Sequence, residues 1–172
     1  MSLTTPKRSQ LHALIFAGAS ALMAWLTPGI GAAQESRMIE GVRPELHLGI
    51  GWHGDLGFGG RVDVPVVPSG FIDGFNDELA LSPGGDLYFG GGKNDNLYGD
   101  ALLAVQWNLY LKPEWSVFPE IGLAFIFGDG GGRDRLHLSP VFALGGRYHW
   151  SSRNSFVLRM VWPFGLQLGI TF

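Results

Sequence analysis

Two positions apart in the segment "LHLS", His137 and Ser139 have the chemical types of a base and a nucleophile. A serine hydroxyl attacks only when a base lies within hydrogen-bond reach and a third group holds that base in place. No Asp or Glu follows Asp134, so the downstream chain offers no carboxylate for that task. His47, His53, His137 and His149 could supply imidazoles to a metal. No two have the close helical or turn spacing of a zinc site, and no metal site is assigned. "GGGKND" lacks the glycine spacing and the Ser or Thr of a phosphate loop. "GDGGGRDR" could bring Asp129 and Asp134 to calcium, or Arg133 and Arg135 to a phosphate. A single glycine-rich loop is more simply a connection. No catalytic residue and no cofactor emerge from these motifs.

A second set of charges is more informative. Arg61, Arg147 and Arg159 share one parity with Asp63, Asp86, Asp100 and Glu120 within their own segments, each alternating with apolar residues. In a strand, successive side chains point to opposite faces, so such alternation separates a charged face from a greasy one. Leu46, Leu48, Ile50 and Trp52 begin the pattern, and Leu56, Phe58, Val62, Val64 and Val66 continue it across "HGD". An odd three-residue loop at His53, Gly54 and Asp55 preserves the parity, with Gly54 able to take a positive φ. Further apolar series run from Leu79 to Phe89, Leu97 to Leu111, Trp115 to Phe127, Leu136 to Trp150 and Phe156 to Trp162, with "KPE" and "SSRN" as turns. The chain closes on "FGLQLGITF", where Phe164, Leu166, Leu168, Ile170 and Phe172 alternate with small or polar residues. "PFG" turns the chain into this tail. No Asp, Glu, Lys or Arg occupies the apolar face of these eight segments. If "HGD" and "PFG" instead pass straight through, six strands remain. Pro83, Pro119 and Pro140 each remove a ladder donor and are expected at bulges or strand ends.

The 172 residues suffice for one domain, and a 46% apolar, 16% charged composition excludes a disordered chain. Lys7 and Arg8 precede the apolar run "LHALIFAGASALMAWL", and Pro28, Gly29 and "GAA" follow, which reads as a signal peptide over residues 1–33 cleaved after Ala33. The mature chain, 34–172, then carries 10 basic against 15 acidic residues, a formal charge of −5. That balance argues against nucleic acid as a partner. No cysteine is present, so stability comes from packing or from a membrane. After Ala33, no apolar run approaches the roughly 18 to 20 residues of a membrane helix, so any crossing is made by strands.

A soluble sandwich or lipocalin-like barrel would turn the greasy face inward, whereas a membrane barrel turns it toward lipid. The polar face is rich in glycine and poor in charge for a watery surface, as a narrow interior requires. Trp52, Trp107, Trp115, Trp150 and Trp162 all fall on the apolar face, and Trp52, Trp115, Trp150 and Trp162 lie beside turns, where interfacial aromatic girdles belong. The expectation is an all-β, single antiparallel up-and-down transmembrane β-barrel of eight strands. Its interior is plugged by ion pairs among the seven charged residues named above, because buried charges must be paired.

On that pattern, and on the alternating tail ending in Phe172, the mature chain resembles the small OmpA-like outer-membrane β-barrels of Gram-negative bacteria. The resemblance implies an outer-membrane location, contact with outer-membrane lipid and lipopolysaccharide, and a C-terminal signal read by the barrel assembly machinery. It departs from the family in its short first outer loop and in a long 68–77 connection on the periplasmic side. "LHLS" is similar to the His-x-Ser pair of the outer-membrane lipid A deacylases, whose chemistry faces lipid and uses a downstream glutamate. Here the glutamate is missing and parity points both residues inward. The expected role is therefore structural, interactive or that of a narrow passage. A small pore or apolar-ligand carrier, a lipid A modifying enzyme and a secreted soluble barrel are the alternatives.

Overall fold

The computed structural model describes residues 41–67, 69–90, 97–128 and 136–172. The expected signal peptide, the loop 91–96 and the loop 129–135 lie outside the described residues. Eight strands follow in order: β1 (Arg43–Ile50), β2 (Leu56–Val67), β3 (Asp77–Phe89), β4 (Leu97–Lys112), β5 (Trp115–Gly128), β6 (His137–His149), β7 (Ser155–Trp162) and β8 (Gly165–Thr171). Each pairs with the next, and β8 pairs with β1, so the sheet is one closed antiparallel barrel with no helix among the described residues. Closure leaves no free sheet edge around the circle, the condition under which alternating strands can stand in lipid.

The short turns preserve parity by routes the alternation does not specify. β1 and β2 join through five residues, Gly51–Asp55, closed by Gly51 N–H to Asp55 C=O at 2.7 Å and Gly54 N–H to Gly51 C=O at 3.0 Å. Gly54 has φ +87°, as the loop expectation required. Trp52 lies in the loop and is not paired with Leu56; that partner is Ile50. Between β4 and β5 the turn is two residues, with Lys112 opposite Trp115, and a bulge between Tyr110 and Lys112 supplies the extra residue that keeps the faces in phase. The "PFG" segment does turn, and the eight-strand count stands.

The prolines depart from expectation. Pro83 and Pro119 sit mid-strand at unbulged positions, opposite Leu103 and Leu144. Their cost is local: the β2–β3 ladder is interrupted between Arg61 and Val64, and the β4–β5 ladder between Gln106 and Leu109, without a change of register. Each proline keeps one neighbour and forgoes the other, consistent with its missing N–H. Pro140 pairs with Leu123 on β5 and lies beyond the end of β7, whose last partner on β6 is Phe142.

The glycine content has a spatial cause. Inward-facing glycines stand beneath the largest interior side chains. A Cβ at Gly145 would lie 2.3 Å from the Phe118 ring, one at Gly57 2.5 Å from Tyr88, and one at Gly59 1.8 Å from the Asp86 carboxylate. An eight-stranded barrel is only wide enough for its own side chains, so each bulky residue needs an empty position opposite.

Candidate functional site in the barrel interior

The two faces of the sheet are sorted without ambiguity. Leu168, Leu103 and Phe142 are 61%, 56% and 50% exposed, whereas Arg147 is 2% exposed. The outer wall is therefore apolar, and the charges lie inside.

That centre is a polar lattice drawn from every strand of the barrel, two hydrogen-bonded groups that meet where Arg147 lies 3.8 Å from Glu45. Arg159 on β7 grips Glu45 on β1 with two parallel bonds, 2.9 and 3.0 Å, the bidentate geometry that suits a guanidinium and a carboxylate. Its Nε also lies 3.2 Å from Glu120 on β5, a charge contact without hydrogen-bond alignment. Arg61 on β2 donates to Glu120 at 2.9 Å and to Gln167 on β8 at 3.2 Å. Gln167 in turn donates to Asp86 at 3.0 Å and Tyr88 at 3.2 Å, and Asp86 is bonded to His47. Arg147 on β6 pairs with Asp63 and donates to Asn108 at 2.8 Å. Asn108 passes the chain on to Glu78 at 2.9 Å, and Arg43 donates to both Glu78 oxygens. The Phe118 ring lies under two cations, with the Arg147 and Arg159 guanidinium carbons 4.5 and 5.2 Å from its centroid. Desolvating one of these ions alone would cost several kcal/mol, so the arrangement persists only as a set.

Of the charged residues singled out in the sequence, Arg61, Asp63, Asp86, Glu120, Arg147 and Arg159 lie in this lattice. Asp100 does not, which corrects its assignment as an ion-pair member. It is buried directly opposite Asp86 in the β3–β4 register, and neither carboxylate oxygen accepts a hydrogen bond among the described residues. It lies beside a second interior zone that is apolar: Leu102, Ala124, Val141, Val161 and Phe164 pack with Tyr88, and Tyr98 and Ile126 border them. Phe164 is the second correction. Alternation placed it on the outer face with Leu166, Leu168, Ile170 and Phe172, but it is 4% exposed and stacks on Tyr88 at 5.9 Å. It belongs to the turn, and Gly165 after it has φ +123°, which swings the ring inward before the strand pattern resumes. Leu166, Leu168, Ile170 and Phe172 are exposed on the wall.

Trp52, Trp115, Trp150 and Trp162 are all exposed near strand ends. Trp115 packs on Tyr148 at 5.0 Å and Trp150 on Phe156 at 4.2 Å. Trp107 is half-buried and donates to Asp77 at 3.0 Å. The His137 and Ser139 pair is not assembled as a nucleophile. The Ser139 hydroxyl donates to the Pro140 carbonyl at 3.3 Å, and His137 is exposed, above the level where β7 ends. His149 instead bridges Ser116 at 2.9 Å and Ser155 at 2.6 Å. No group of three metal-ligating side chains occurs among the described residues.

Comparison with protein-family models and with curated proteins finds no match. Among solved structures, a chain described as "De novo design of transmembrane beta-barrels" superposes with a TM-score of 0.58 at 12% identity, over 76% of this chain and 92% of that one. What the two share is a fold. Ail, the attachment invasion locus protein of Yersinia pestis, aligns over 76% of this chain and 91% of its own at 10% identity, and its TM-score of 0.44 carries no argument. The fold in hand is an eight-stranded closed barrel with ion pairs in its interior.

Glu45, Arg43, Glu78 and Gln167 are interior residues that the charge pattern alone did not single out. Extending the β1 alternation three residues ahead of Leu46, past Pro44, brings Glu45 and Arg43 onto the parity of His47.

Proposed function

We propose that this chain is an integral outer-membrane β-barrel protein with a structural, interaction or narrow-passage role and no enzymatic activity. One observation carries the reading: the whole outer wall is apolar while the centre holds the charges. Soluble monomers rarely expose contiguous apolar patches beyond a few hundred Å², and here such surface encircles the molecule. Lipid covers an outer wall of this kind on all sides. The lattice that joins opposite walls leaves no wide aqueous path, which favours a plugged barrel over a pore. The finer likeness to the OmpA-like family rests on the tail Leu166, Leu168, Ile170 and Phe172, which we assign as the signal read by the barrel assembly machinery. Outer-membrane lipid and lipopolysaccharide are the partners this surface fits.

The test is electrophoresis of the detergent-solubilised protein with and without heating, alongside carbonate extraction of outer membranes. A membrane barrel migrates differently after boiling and stays with the membrane. Release by carbonate would overturn the proposal. In planar bilayers the same protein is expected to show no sustained wide-pore conductance, and large, stable openings would replace the plugged reading with the pore.

A further inference from the structure

The outer wall is not equally tall all the way round. On β5 the apolar series runs over seven alternate positions from Trp115 to Phe127, and on β6 it runs from Leu136 to Trp150. On β7 it has only Phe156, Leu158, Met160 and Trp162, and on β8 only Leu166, Leu168, Ile170 and Phe172. At about 3.3 Å per residue and a tilt of about 40°, β5 presents roughly 30 Å of apolar height and the β7–β8 hairpin roughly 15 Å. Along the β6–β7 ladder the deficit is at one end. His149 pairs with Ser155, so β6 and β7 finish together at the lower end, whereas Leu136, Leu138 and Pro140 continue beyond the Phe142–Trp162 pair with no β7 partner. Polar residues bound the short wall below at Ser151, Ser152 and Arg153, all exposed, and above it Phe164 turns into the interior.

From this geometry we infer that the β7–β8 hairpin is a notch in the apolar girdle, where the protein holds a locally thinned lipid bilayer. The inference rests on the membrane proposal above. Tilting the barrel does not remove the mismatch, because a rigid rotation moves both borders of the short sector together and leaves its height unchanged. An apolar stretch shorter than the hydrocarbon thickness is met by bilayer thinning. Lipid is the fitting occupant, since the girdle is continuous around every strand and a single protein partner would cover only one sector.

The chain has no cysteine, so single labels can be placed cleanly. Spin labels at Trp162→Cys and Leu166→Cys report the top of the notch; Ile121→Cys, on the same cross-strand row as Phe142 and Trp162, reports the tall wall. The refolded barrel is examined in phosphatidylcholine vesicles for collision with oxygen against a water-soluble nickel chelate. The expected result is nickel accessibility several-fold higher at residues 162 and 166 than at residue 121. Equal, oxygen-dominated depth at all three would overturn the notch while leaving the membrane reading intact. Nickel access at residue 121 would remove the membrane reading and the notch with it. Spin–spin broadening at Leu168→Cys that grows with protein density would mean that a second copy covers the short wall, overturning lipid as its occupant. Should Trp162→Cys fail to fold, Leu166→Cys reports the same level from the neighbouring strand.

Discussion

Replacing Arg159 by Met keeps most of the side-chain volume and removes the guanidinium at the centre of the lattice. Glu45 loses both of its parallel bonds, at 2.9 and 3.0 Å, and Glu120 loses a cation 3.2 Å away. Neither carboxylate can reach bulk water, since both are buried. Glu120 keeps Arg61, but Glu45 is left with His47 at 3.3 Å and a distant Arg147 at 3.8 Å. Breaking a buried pair in this way costs about 3 to 5 kcal/mol, because one charge stays behind without compensation. With a urea dependence of about 2 kcal/mol per molar, the unfolding midpoint in lipid vesicles falls by about 1.5 to 2.5 M. The decisive arm is the double variant. Glu45→Gln alone leaves Arg159 with only the unaligned Glu120 contact at 3.2 Å, whereas Glu45→Gln added to Arg159→Met removes a charge that has already lost its main partner, so its further cost is small. A coupling of about 1 to 3 kcal/mol between the two sites is expected from the cycle. Additive effects, within about 0.5 kcal/mol, would mean that the two groups do not interact across the barrel and that the lattice description is wrong.

Three further outcomes follow from the same geometry. Leu123→Lys, on the outer wall midway along β5, is expected to lower stability in vesicles by about 2 to 4 kcal/mol, while a water-facing position would be indifferent; unfolding titrations distinguish the two. Gly59→Ala places a methyl 1.8 Å from the Asp86 carboxylate and 2.5 Å from the Gly85 carbonyl, whereas Gly146→Ala meets nothing nearer than 3.7 Å. The first variant is expected to refold poorly and the second like wild type, as read by heat-dependent gel mobility. Phe164→Ala empties the space against Tyr88 and is expected to cost about 3 to 5 kcal/mol in the same titration; a change under about 0.5 kcal/mol would show that the inward ring contributes nothing.

Most of the architecture was legible because a two-residue period admits few interpretations once charges occupy only one parity. The sorting of Leu103 and Arg147 onto opposite faces follows from it; the choice of eight strands over six does not, because the parity is the same whether "HGD" and "PFG" turn or pass straight through. Asp100 and Phe164 show where the method ends. Parity assigns a residue to a face but says nothing about height along the barrel. Asp100 is correctly inward, yet lies beside Leu102 and Ile126, and among the described residues its carboxylate accepts no hydrogen bond. Which inward residues meet is decided by the register of strands far apart in sequence, and Glu45 with Arg159 could not be paired by any local count. Phe164 fails for a different reason: alternation was carried one residue too far into a turn, where backbone angles no longer flip the side chain at each step. Pro83 and Pro119 were tolerated mid-strand because a barrel strand with two neighbours can lose contact with one and keep the other.

The bidentate pair spans 114 residues and links the first strand to the seventh. In the lipid setting proposed above, Arg159 and Glu45 face each other across an unformed seam while the ribbon is still open, and neither has its partner at the threshold of the hydrocarbon phase. Partial insertion of a few strands is therefore disfavoured, and the energetically reasonable route carries the curled sheet across nearly whole, with the circle sealing as the charges meet. On that proposal the contact that fills the middle also acts as a latch, closed when the last strand completes the circle.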